Sequence, residues 1–272
     1  MTLEDQIKKL NPEQLKAIMK AIDTPISTGV HSYHDKRFKK KHLRIGVIGD
    51  THIGSKYFDQ KALEIFVGVC EKENVDFYIQ TGDITDGMYN NRPGHIYELT
   101  HLGYDAQLKA VTKSFPNTGK KTFFITGNHD ETHIKNAGAD IGFAIEKARS
   151  DMKYLGAREA DLLLGSQSRT RLKLFHPGGG TAYAISYKPQ KIIESFEGGK
   201  KPEILVIGHF HKIESLFYRG VNCIQAGTFQ SQSEFMRVHA LAAHKAGTIL
   251  DIDMISDGTV TSFKTMVVPF YE

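Results

Sequence analysis

Seven side chains able to hold a divalent cation stand at the ends of short apolar runs in this sequence. Asp50 and His52 follow LRIGVIG, and Asp83 follows VDFYIQ. Asn128 follows KTFFIT, His176 follows LKLF, and His209 and His211 follow ILVIG. Carboxylate with imidazole suits borderline ions such as Mn, Fe or Zn over Ca. Seven donors are too many for one ordinary site with an open position, and they suit two cations sharing a carboxylate. No cysteine is among them, which excludes a thiolate-held structural zinc.

Short strands must deliver these donors, because ligand sites in open α/β sheets gather beyond the carboxyl ends of strands. Side chains at i and i+2 of an extended chain point to one side. That spacing predicts that Asp50 with His52, and His209 with His211, converge on one locus. Helix-length segments over Asp59–Asn74 and Tyr97–Phe115 separate the first runs, so the class is α/β and layered. The C-terminal third reads as short strands near Val221–Ile224, Gly247–Ile255 and Val260–Val268. Asp257-Gly258 joins the last two as a hairpin, predicting a second, more antiparallel sheet. Ahead of this, residues 3–22 read as helical, broken at Asn11-Pro12. Residues 23–42 read as linker, and the basic run from His34 to Arg44 as a solvated tether. The division expected is a helical extension and basic linker over 1–42, then a catalytic domain over 43–272.

The chain has 272 residues, a formal net charge of +4 and two cysteines, and its isoelectric point is about 8.8. Mild basicity permits a polyanionic partner without demanding one. Two cysteines, neither in a CxxC pair, read as core thiols and fit a reducing, cytoplasmic setting. MTLEDQIKKL lacks the apolar stretch of a signal peptide, and no apolar run is long enough to span a membrane.

GNHD and GHFH are the sharpest fragments, since turn chemistry alone asks for neither arrangement of imidazoles. Together with D-x-H, GD-x-x-D and a lone histidine, they make this chain resemble the calcineurin-like metallophosphoesterase superfamily from Leu43 onward. The resemblance implies a four-layer α-β-β-α sandwich of two mixed sheets flanked by helices. It implies that Asp50, His52, Asp83 and His211 bind one metal, and that Asp83, Asn128, His176 and His209 bind the other. His129 resembles the catalytic histidine and Asp86 its carboxylate partner. Two divalent ions, Mn with Fe, Zn, Mg and Ni as alternatives, would clamp a phosphate and acidify a bridging water. The resulting hydroxide would attack phosphorus while protonated His129 serves the leaving oxygen as general acid. Asp130 reads by default as a helix N-cap.

The substrate is less constrained. The superfamily's protein phosphatases carry Arg directly after the second Asp of GD-x-x-D, and Gly87 stands here instead. GDTHIGSKYF and GDITDGMYNNRPG resemble the exonuclease small subunit of archaeal D-family DNA polymerase, and more distantly the Mre11-type repair nucleases. That implies a phosphodiesterase acting on DNA or RNA, with Tyr89, Asn90 and Arg92 as substrate contacts. The alternatives are a phosphodiesterase or phosphomonoesterase for cyclic nucleotides or other small molecules, and a non-catalytic scaffold subunit. The N-terminal helices are candidates for docking a protein partner or a second copy.

Overall fold

The computed structural model describes residues 31–197 and 199–270, so the expected N-terminal helices over 3–22 lie outside the described residues. Among the described residues the strands are β1 (Ser32–Tyr33), β2 (His42–Ile48), β3 (Phe77–Gln80), β4 (Thr122–Thr126), β5 (Met152–Ala157), β6 (Glu159–Leu164), β7 (Thr170–Phe175), β8 (Ile204–Ile207), β9 (Ile213–Tyr218), β10 (Val221–Ala226), β11 (Ala246–Met254) and β12 (Val260–Pro269). Among the described residues the helices are α1 (Gln60–Lys72), α2 (Gly103–Ser114), α3 (Glu131–Ala137), α4 (Ile141–Ala148), α5 (Tyr187–Ser195) and α6 (Glu234–Val238). One six-stranded sheet runs β12-β11-β2-β3-β4-β5 and the other β1-β6-β7-β8-β10-β9. Both are mixed: β2 to β5 are parallel neighbours, while β6 and β7 are antiparallel.

Strand alternation builds the layers. Leu43, Ile45 and Val47 of β2 face the same core as Leu172, Leu174, Ile204 and Val206 of the other sheet. Ile48 and Tyr78 on the opposite face pack with Leu63 and Phe66 of α1, Val111 of α2 and Ile145 of α4. Leu205 and Ile207 turn outward against Ile193 of α5. The result is the helix, sheet, sheet, helix layering expected for a four-layer sandwich. In α1, Asp59 accepts from the Ala62 N–H at 2.9 Å. Leu63, Phe66, Val67 and Cys70 then recur at helical spacing on its buried face. Both cysteines are buried and free.

Two expectations need correction. The C-terminal hairpin does not build the second sheet, because β11 pairs antiparallel with β2 and extends the first one. Residues 31–41, just ahead of β2, are not a loose tether either. Ser32 and Tyr33 pair with β6, and Phe38 is fully buried among Phe77 and Phe123, at ring separations of 5.1 and 4.9 Å. An aromatic side chain that can reach the space between two sheets gains more from burial than a charged run gains from full solvation. Some of the neighbouring charges are paired, Lys40 with Asp76 and Arg44 with Asp251. Phe38→Ala should therefore lower the unfolding free energy by about 3–4 kcal/mol. Urea denaturation checks this, and a loss below about 1 kcal/mol would mean the segment adds little.

Candidate metal centre

The loops leaving β2, β3, β4, β7 and β8 carry the seven sequence-predicted donors into two adjoining groups. Asp50, His52 and His211 form one, and Asp83, His176 and His209 the other, with ligand atoms in each group within 4.8 Å of one another. His211 Nε2 lies 3.2 Å from Asp50 Oδ2 and 3.0 Å from His52 Nε2. His176 Nε2 lies 3.2 Å from Asp83 Oδ2 and 3.0 Å from Asn128 Oδ1. Asp83 stands between the groups, since its Oδ2 is also 4.0 Å from His52 Nε2.

The extended-chain reasoning for His209 and His211 does not hold. Their φ angles are +76° and +53°, and those of His52 and Asp83 are +49° and +50°. Left-handed backbone swings successive side chains apart, so His209 joins Asp83 while His211 joins Asp50. Residues in this conformation cost about 1–3 kcal/mol each and cluster where surrounding structure holds a site in place.

Outward hydrogen bonds aim two of the imidazoles inward. His176 Nδ1–H donates to Thr81 O at 2.8 Å, and His209 Nε2–H donates to Gly179 O at 2.6 Å. Tautomers assigned in this way leave His176 Nε2 and His209 Nδ1 as lone pairs toward Asp83. Tyr89 OH accepts from Asn128 Nδ2 at 2.8 Å, which points Asn128 Oδ1 the same way. Acceptors therefore converge on each group with too few protons between them. The buried His211 Nδ1 has no hydrogen-bond partner either. This donor set fits divalent cations.

A second carboxylate organises the surrounding histidines. Asp86 Oδ1 is 2.9 Å from His52 Nδ1 and 3.4 Å from His129 Nδ1, and its Oδ2 is 3.3 Å from His95 Nε2. His129 Nδ1–H donates to Asp86 O at 2.7 Å, leaving Nε2 as its free nitrogen. Burial opposes charge on His129, but the Asp83 and Asp86 carboxylates hold it up at about 9. Asp86 is itself held well below the usual carboxylate range, against its burial, by hydrogen bonds from His129, His52 and His95. His95 was missed by sequence reasoning, because it sits in a short 3-10 turn (Pro93–Glu98) away from any strand end.

The groups open into a cavity of about 370 Å³, lined also by Tyr89, Arg92, Phe235, Met236 and Leu241. Of the three expected substrate contacts, Tyr89 and Arg92 face it. Asn90 does not line it, and donates instead to Asn136 Oδ1 at 2.8 Å.

A model of the calcineurin-like phosphoesterases matches residues 43–213. The chain belongs to that family. Its members are metal-dependent phosphoesterases, in accord with the donor set. The DNA polymerase II small subunit of Archaeoglobus fulgidus is 26% identical over 244 residues, covering 73% of this chain and 49% of that protein. Its counterpart in Pyrococcus furiosus is 26% identical over 253 residues, covering 76% and 41%. This chain thus spans half or less of these relatives' length. A solved archaeal phosphodiesterase aligns over 83% of this chain and 100% of its own, at 13% identity and a TM-score of 0.47. Among the described residues, no helix is long and apolar enough to cross a membrane.

Two positions that the motifs left open have structural reasons in this family member. Gly87 has φ +64°, and a Cβ there would collide with His129 O and Thr132 Oγ1. Gln107 then clamps Gly87, accepting from its N–H at 2.8 Å and donating to its carbonyl at 2.9 Å. No arginine fits at this position. Asp130 precedes α3 but caps no helix N–H. Its carboxylate accepts from Ile84 N, Thr85 N and Gly127 N at 3.1, 2.8 and 2.9 Å, tying the β3 and β4 loops together. Burial and the charge of Asp83 push its pKa up to about 6.

Gly87→Ala should lower the unfolding free energy by about 3 kcal/mol, from backbone strain and overlap together. Thermal and urea unfolding check this, and a change under about 0.5 kcal/mol would show that the loop yields freely. A second outcome concerns His133, a buried imidazole that desolvation lowers to about 4. The unfolded chain gains its proton near pH 6.5, so stability is lost as pH falls from there toward about 4. His133→Gln should flatten that slope by up to about 1.4 kcal/mol per pH unit. Urea midpoints between pH 4 and 7 measure it, and an unchanged slope would contradict it.

Proposed function

We infer that this chain hydrolyses phosphodiester bonds of nucleic acid with two divalent cations, Mn2+ being the favoured ion. The observation that carries this reading is the division of the donors into two adjoining groups around Asp83, with His129 beside them. His129 N donates to Asp83 Oδ1 at 2.8 Å, which fixes the histidine against the same carboxylate. Asp50, His52, Asp83 and His211 would hold one ion, and Asp83, Asn128, His176 and His209 the other. Bound there, the ions would supply charge against the phosphoryl oxygens and a water acidified enough to act as nucleophile.

The rest falls to the protein. His129 holds its proton on Nε2 and donates it to the departing oxygen, with Asp86 fixing the ring's orientation and favouring its charged form. His95 shares Asp86 and completes that arrangement. Tyr89 keeps Asn128 aimed, and burial of the cluster strengthens each of these interactions. The curated relatives are named as small subunits of a DNA polymerase. That supports nucleic acid as substrate and a larger partner chain as the setting. The net charge of +4 favours a polyanion in the same direction.

A substrate panel with Mn2+ tests the reading: single-stranded DNA and RNA, bis-p-nitrophenyl phosphate, cyclic nucleotides and p-nitrophenyl phosphate. Nucleic acid and the small diester should turn over. His129→Ala should keep its metal content and lose about 10²- to 10⁴-fold in kcat. Activity confined to cyclic nucleotides or monoesters would replace this reading with a small-molecule one. A chain that binds nucleic acid but cleaves nothing would be a scaffold.

A further inference from the structure

Arg92 is a cation with an unused fork at the edge of the cavity. Its guanidinium lies 4.1 Å from the centroid of the Phe235 ring and 5.4 Å from that of Tyr89. Among the described residues it forms no ion pair or side-chain hydrogen bond, although it lines the same cavity as Asp83 and Asp86. An arginine held over aromatic faces keeps its N–H donors while losing much of its rotamer freedom. Phe235 is itself held: His239 packs on it with ring centroids 4.2 Å apart. Its helix α6 is capped by Ser233, which accepts from Met236 N at 3.2 Å. The cradle thus joins two distant stretches of chain, the segment after β3 and the segment after β10.

We propose that Arg92, seated in the Phe235–Tyr89 cradle, grips a phosphate that neighbours the one being cleaved, so that the centre prefers a polyphosphodiester strand over a single diester. This rests on the phosphodiesterase reading above. The attacked phosphate belongs at the two donor groups. Arg92 makes no ion pair with their carboxylates, so it stands outside them on the cavity wall, where the next phosphate of a strand would pass. A guanidinium presents paired donors suited to phosphate oxygens. The arginine excluded at Gly87 is in effect replaced by one that contacts a different phosphate.

Steady-state kinetics with Mn2+ compare the full chain with Arg92→Ala, Arg92→Lys and Phe235→Leu. The substrates are a labelled single-stranded oligonucleotide and bis-p-nitrophenyl phosphate, which has no neighbouring phosphate. Arg92→Ala should raise KM for the oligonucleotide about tenfold more than for the small diester. Arg92→Lys should restore part of the difference, and Phe235→Leu should shift it in the same direction as Arg92→Ala. Oligonucleotide binding, followed by fluorescence anisotropy, should lose about one unit of slope against log salt in Arg92→Ala. A packing role alone would leave that slope unchanged. Equal effects on both substrates, or an unchanged salt slope, would overturn the role of Arg92 while leaving the phosphodiesterase reading intact. A wild-type chain inert on both substrates would remove that reading, and this one with it.

Discussion

Asp83 is a carboxylate almost wholly withdrawn from water and hemmed by imidazoles. Burying an ionised carboxylate without a partner is strongly unfavourable, so positive charge has to stand beside it. The pull of Asp83 on its surroundings shows in His176, whose pKa it raises to about 9 against the ring's burial. His209, by contrast, is driven down to about 4 by its own burial and by the charge of His176. Asp50 and Asp86 are equally buried nearby, so the locus calls for positive charge from more than one direction. An arrangement of this kind fits divalent cations. The two sheets, and the helices that cover them, position the five loops that carry these side chains.

That these side chains would meet was legible because each follows an apolar run, and a polar residue that close to a buried strand needs a reason. The alternation of strands with helices was legible in the same way, with α1 and α2 inside the two helix-length segments, whereas the four-layer arrangement came from the resemblance. Pairing within the site came from the family resemblance and not from the spacing of the residues, which set His209 and His211 on one side together. Whether His209 or His211 joins a given group depends on left-handed backbone, which L-residues rarely adopt and which no local pattern announces. His95 was hidden for a related reason, since only the folded course of the loop after Asp86 brings it to that carboxylate. The placement of β11 beside β2 could not be read either. A hairpin signal fixes the pairing of two strands with each other and is silent on which sheet edge they join.

The basic segment ahead of β2 misled for a different reason. Charge runs are normally solvated, and here the lysines and arginines do stay near the surface. One aromatic residue among them, Phe38, decides the outcome. Its ring fills the space between the sheets, and the chain on either side must follow it. Local composition averaged over several residues conceals a single anchoring side chain.

The central claim is that the donors hold two ions, one per group, with Asp83 common to both. Counting bound Mn2+ by equilibrium dialysis and electron paramagnetic resonance tests this most directly, using the native chain, His209→Ala and His211→Ala. The expected result is two ions in the native chain with the spin coupling of a close pair, and one uncoupled ion in each variant. A single ion in the native chain, or the loss of both ions from either variant, would contradict the account.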